Sequence, residues 1–116
     1  MNTEFSIVEK REGEVIIYSI TGELDALVAP QLKDKISHEI EEGEKNFIIN
    51  FEEVVHINSL ALGILRGKLK SAREAGGDIK LAKLNEHIKS IFEMIGLDEL
   101  FEIYETEKEA LENFNK

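Results

Sequence analysis

Phe47-Ile48-Ile49-Asn50-Phe51 is apolar at four of five consecutive positions and lies between two stretches of helical periodicity. A strand with one wet face alternates apolar and polar residues, so an unbroken run of this length predicts a strand covered on both faces in the middle of a sheet. That requirement favours an α/β chain in which helices form the covering layers. Upstream, Leu32, Ile36 and Ile40 recur at i+4 while Lys33, Asp34, Glu39 and Glu41 take the other faces. Pro30 suits the first turn of that helix, where its missing N–H leaves no bond unmade, and Gly43 suits its end. Downstream, Leu62, Leu65, Leu69 and Ala72 form the apolar stripe of a helix running from Ser59 to Gly76-Gly77, with the basic residues Arg66, Lys70 and Arg73 on its other faces.

The remaining segments extend the alternation. Phe5–Val8 and Val15–Ile20 are rich in β-branched and aromatic residues, and the polar Arg11-Glu12-Gly13-Glu14 between them predicts a hairpin. Asp78-Ile79-Lys80-Leu81 alternates as a strand, Asn85 can cap a helix carrying Ile88, Ile91, Phe92 and Ile95, and Gly96 can stop it. Leu100–Tyr104 reads as a last strand, and Thr106-Glu107-Lys108-Glu109 has capping-box spacing before a terminal helix. The expected order is ββαβαβαβα, a mixed β-sheet with right-handed crossovers and packed helices. No repeat or linker divides the 116 residues, so a single domain over 1–116 is expected.

Composition limits the function classes. No cysteine is present, which removes disulfides, thiolate metal sites and cysteine nucleophiles. A formal charge of −10 repels phosphate backbones and anionic headgroups, so neither direct nucleic-acid binding nor membrane binding is expected, and a partner with a basic patch is favoured. The opening residues Met1–Ser6 lack the basic and apolar regions of a secretory signal, and no later apolar run reaches membrane-spanning length, so a cytoplasmic location is expected.

The chemistry concentrates where a strand gives way to a helix, at Ile57-Asn58-Ser59-Leu60-Ala61-Leu62-Gly63. A hydroxyl at a helix start can accept from free first-turn N–H groups, and the helix dipole favours negative charge there. Ser59 therefore has two readings, a plain N-cap or a site that tolerates a phosphoryl group carrying about −1.5 to −2 charges. Asp25, in Gly22-Glu23-Leu24-Asp25, suits a cap of the first helix, and a phosphoryl group near Glu52, Glu53 or Asp25 would turn a partner-compatible surface repulsive without unfolding the chain.

The hairpin start, Gly22-Glu23-Leu24-Asp25 before the Pro30 helix, Ile57–Gly63 opening the next helix, and Phe92-Glu93-Met94-Ile95-Gly96-Leu97 together resemble the STAS domains of bacterial anti-sigma-factor antagonists. The resemblance covers nearly the whole chain. It implies a binding module that captures an anti-sigma factor acting also as a serine kinase, releases the sigma factor, is switched off by phosphorylation and is restored by a serine phosphatase. ATP and magnesium would belong to the kinase, so no cofactor of the chain's own is implied. The family's usual loop reads Asp-Ser-Ser-Gly with the second serine as the common acceptor. Here Asn58-Ser59-Leu60-Ala61 leaves Ser59 as the only hydroxyl, and the acceptor role passes to it, with Asp25, Asn58, Ser59 and Leu60 as the partner surface. The same domain also serves other assemblies, such as stress-signalling scaffolds or lipid-transport complexes, in which the surface docks without phospho-switching.

An enzyme is disfavoured. His38, His56 and His87 fall on different elements without metal-ligand spacing, and no nucleophile elbow surrounds a serine. A small hydrolase would require His56 to act as the base for Ser59.

Overall fold

The computed structural model describes residues 5–115; positions 1–4, part of the stretch compared with a secretory signal, and position 116 lie outside the described residues. The elements are β1 (Ser6–Glu12), β2 (Val15–Leu24), α1 (Val28–Glu41), β3 (Asn46–Ile57), α2 (Ser59–Glu74), β4 (Asp78–Ala82), α3 (Glu86–Met94), a 3-10 turn at Leu97–Glu99, β5 (Glu102–Tyr104) and α4 (Glu107–Phe114). This is the expected ββαβαβαβα order. The sheet runs β1-β2-β3-β4-β5, with β1 antiparallel to β2 and the other pairs parallel.

β3 is the central strand, and its apolar run is buried on both faces as predicted. Phe47, Ile49 and Phe51 join the main core with the apolar stripes of α1, α2 and α3. Ile48 turns the other way, into a second cluster with Val15, Ile17, Ala82 and Ala110 of α4. Phe92 is fully buried and packs edge-on against Phe51 and Phe101, with ring centroids 6.2 and 5.9 Å away. Gly96 adopts φ +79, a left-handed conformation that ends α3 and turns Leu97 into the core. No described helix is long and apolar enough to cross a membrane.

The second face holds a buried cation that the strand pattern concealed. Lys80 is only 5% exposed, and its ammonium bonds Asp78 Oδ2 at 3.0 Å and Glu102 Oε1 at 2.7 Å, beneath the Phe114 ring at 4.6 Å. The bond from Lys80 is the main reason the Glu102 carboxyl is held below its ordinary range. Burial, then donation to Glu102, pushes the Tyr104 hydroxyl up to about 12. α4 is tied down by Glu107, which bonds Lys10 at 2.8 Å and Asn50 at 2.7 Å, and by the Thr106 hydroxyl accepting from Glu109 N–H.

Several strand boundaries differ from the sequence reading: β2 runs on from Ile20 to Leu24, and β5 begins at Glu102 rather than Leu100. β1 continues through Arg11 and Glu12, so the hairpin turn narrows to Gly13-Glu14. β3 does not give way to a loop after Phe51 but runs on to Ile57, paired with Thr21–Leu24 of β2. Two register shifts interrupt that pairing, and the buried positions Phe51, Val54 and Ile57 consequently recur every third residue. Each bulge inserts one residue between inward-facing side chains, which erases the two-residue alternation that identifies a strand.

Candidate functional site

The extended β3 delivers the start of α2 to a fixed place. Ile57 is buried, so the chain is anchored two residues before the first helical residue, Ser59. Asn58 N–H then donates to Leu24 O at 3.2 Å, joining this junction to the end of β2. The residue after Leu24 is Asp25. The fold therefore brings the Asp25 and Ser59 segments together, although 34 positions separate them in sequence.

Ser59 is not the helix cap. Asn58 takes that role, with extended backbone and its Oδ1 accepting from Ala61 N–H at 2.9 Å. Ser59 occupies the first helical position, exposed, where backbone N–H groups lack intrahelical acceptors. No acidic residue stands in this first turn. Leu60 beside it is 49% exposed, while Ala61 is fully buried in the core. Its burial explains a small residue at that position.

Asp25 does cap, in an unusual form. The residue at the formal cap position of α1 is Leu27, which has no side-chain bond, and Asp25 reaches forward so that its Oδ1 accepts from both Leu27 N–H (3.0 Å) and Val28 N–H (3.1 Å). Its second carboxylate oxygen has no hydrogen-bond partner among the described residues. Asp25→Ala should cost about 1 kcal/mol, or roughly 5 °C in Tm, by removing the shared acceptor. Asp25→Asn keeps that acceptor and should melt within about 2 °C of wild type by the near-equality of Asn and Asp as caps. Loss of partner binding in the Asn variant alone would identify the second oxygen as a partner contact, and retention would leave Asp25 a cap only.

Ser59 stands between two shallow grooves that flank α2. One, of about 380 Å³, is lined by Lys33, Leu60, Gly63, Ile64 and Lys68 among others. The other, of about 300 Å³, is lined by Leu62, Gly63, Arg66, Ile95 and Leu97. Three cations and no carboxylate line the two grooves, so the grooves themselves are cationic although the chain carries −10. The chain's charge is thus unevenly spread, with a cationic patch on an otherwise acidic molecule. Glu52 and Glu53 line neither groove; Glu52 pairs with Lys83 at 3.5 Å. Ile95, read as part of the apolar stripe of α3, lies just past the end of that helix and is 52% exposed, and the neighbouring Met94 is 80% exposed.

His56 faces away from hydrolytic geometry. Its ring stacks on His87, with centroids 5.7 Å apart and Nδ1 3.5 Å from His87 Nε2, and no bond to Ser59 occurs among the described residues. His38 lies separately on α1.

The sequence profile of the STAS domain matches residues 6–110. An anti-sigma-B factor antagonist of Listeria monocytogenes is 31% identical over 110 residues, covering 94% of this chain and 95% of the relative. A crystal structure of a candidate anti-sigma factor antagonist from Thermotoga maritima superposes with a TM-score of 0.90 at 27% identity, covering 95% of each chain. The Bacillus cell-fate determinant SpoIIAA in its phosphorylated form shares the fold, with a TM-score of 0.76 at 24% identity over 93% of this chain and 98% of that one. With the family match running through nearly every element of the fold, the chain belongs to the STAS-domain family of anti-sigma-factor antagonists.

Proposed function

We propose that this chain captures an anti-sigma factor that is also a serine kinase, thereby releasing the sigma factor, and that phosphorylation of Ser59 ends the interaction. A serine phosphatase then restores the binding form. The observation that carries the reading is the division of labour at the start of α2. Asn58 supplies the cap, which leaves the Ser59 hydroxyl exposed and uncommitted between cationic grooves. A phosphoryl group there meets the positive end of the helix dipole and the field of Lys33, Lys68 and Arg66, so it is accommodated without unfolding. The same group fills the positive surface and repels carboxylates of a bound partner. SpoIIAA, which shares the fold, has been solved in a phosphorylated form.

Asp25, Asn58, Ser59 and Leu60 form the partner surface in this reading, and the chain acts by binding rather than by catalysis. Leu60 favours a second reading. It occupies the family's usual acceptor position without a hydroxyl and presents half of an apolar side chain to solvent. In a scaffold that docks constitutively, the same surface is used and Ser59 is never modified.

Incubation with the organism's anti-sigma kinases and ATP, followed by intact mass, decides between them. One added phosphoryl group that is absent in Ser59→Ala is the expected result. No addition with any kinase, while a complex still forms, would leave the constitutive reading.

A further inference from the structure

The C-terminal half of α2 carries a surface that extends beyond the grooves beside Ser59. A groove of about 480 Å³ lies between α2 and Leu100, floored by Leu69 and rimmed by the three cations Arg66, Lys70 and Arg73 and the single carboxylate Glu74. It shares Arg66 with the Ser59 groove walled by Ile95 and Leu97, so the two form one track along a side of α2. At 1.5 Å per residue, the 16 residues of α2 give that track a length of about 24 Å, enough for several turns of helix.

Charge along the track is distinctive. α2 contains four of the chain's 14 basic residues and only one of its 24 acidic residues. Arg73 is committed to structure, donating to Asp78 Oδ1 at 2.9 Å and to Leu100 O at 2.7 Å, which holds the far wall in place. Arg66 has no carboxylate within 4.0 Å among the described residues, and Lys70 reaches only the exposed Glu74 at 3.9 Å. A pair so exposed contributes little, so both cations are available to a ligand. Leu100 is 39% and Ile95 52% exposed, which gives an occupant apolar contacts as well as charge.

We infer that this track docks an acidic, amphipathic segment of the protein partner, with apolar side chains against Leu69, Ile95 and Leu100 and carboxylates on Arg66 and Lys70. The inference rests on the reading that the Ser59 end of α2 meets a protein partner, and it adds the chemistry of that partner's second contact. Carboxylates on this rim steer association through long-range attraction and fix the register of the segment along α2.

The test measures binding of the unphosphorylated chain to the anti-sigma factor for wild type, Arg66→Glu/Lys70→Glu and the control Lys35→Glu, which alters an exposed charge on α1. The double variant should bind about 10-fold or more weakly at ~0.05 M salt through slower association, with the deficit shrinking at ~0.5 M salt, while the control stays within about 2-fold. All three should melt alike, because the altered side chains are exposed and make no close ion pair beyond the weak Lys70–Glu74 contact. Equal loss in the control, or no loss in the double variant while wild type binds, would overturn the docking track and leave the proposed function standing. No binding by unmodified wild type would overturn both.

Discussion

Gly77→Ala should destabilise the fold by on the order of 3 kcal/mol, lowering Tm by roughly 15 °C, because it forces a methyl group into backbone that cannot give way. The added Cβ would lie 2.5 Å from the Lys45 carbonyl carbon and closer still to its oxygen. That oxygen accepts from Asp78 N–H at 3.0 Å, and Gly77 N–H donates to Ala72 O at 2.9 Å. The close approach therefore joins the end of α2, the start of β4 and the residue preceding β3 in one place. Relief of the clash must push β4 away from β3 at the Asn46–Asp78 end of their pairing, next to fully buried Phe47 and Ile79. Gly67→Ala is the contrasting variant: its Cβ meets nothing within 4 Å, and in an exposed helix interior it should raise stability by about 0.5–1 kcal/mol. Thermal unfolding followed by circular dichroism reads both. A Gly77→Ala protein that melts within about 2 °C of wild type would show that the Lys45 approach is no constraint, since such a shift is under about 1 kcal/mol.

Ser59→Asp should separate binding from stability. Affinity for the anti-sigma factor is expected to fall by about 100-fold, or ~2.7 kcal/mol, as a fixed negative charge enters the surface that receives the partner's carboxylates. Stability should move the other way. The first turn of α2 has no acidic residue, and a carboxylate placed there gains about 0.3–1 kcal/mol from the helix dipole. Ser59→Ala keeps the affinity of wild type, since Asn58 rather than Ser59 holds the cap. Calorimetric titration and thermal melts on the three proteins make the comparison. Loss of affinity together with a lowered Tm in Ser59→Asp would mean that the substitution damages the helix start, and undiminished affinity would mean that the surface around Ser59 is not where the charge-sensitive contact lies.

The parts of the fold legible in the sequence are those governed by local periodicity. The run at Phe47–Phe51 identified the central strand, and the i+4 recurrence of Leu32, Ile36 and Ile40 identified α1. The far end of β3 was illegible because its bulges space the buried residues Phe51, Val54 and Ile57 by three, a period belonging to neither strand nor helix. Lys80 was illegible for another reason. A lysine in an alternating strand reads as solvent-facing, and only Asp78 and Glu102 converging on it, with the Phe114 ring above, make its burial tolerable. Ile95 erred in the opposite direction: it continues the apolar periodicity of α3, but Gly96 turns the chain inward only at Leu97.

At the site itself, the sequence by itself determined that a helix begins at the Asn58-Ser59 junction and that Ser59 is the one hydroxyl available there. Those properties depend on neighbours within a turn of chain, where propensity and capping chemistry act. Only the tertiary structure decided that Asn58 rather than Ser59 accepts the first-turn bond, that Leu24 O receives Asn58 N–H and so sets Asp25 beside the helix, and that a chain of net charge −10 surrounds Ser59 with Lys33, Lys68 and Arg66. A sum of charges contains no positions. The register of β2 against β3, shifted twice by bulges, and the packing of α1 and α3 beside α2 supply them, and the sign of the field at Ser59 follows from that placement.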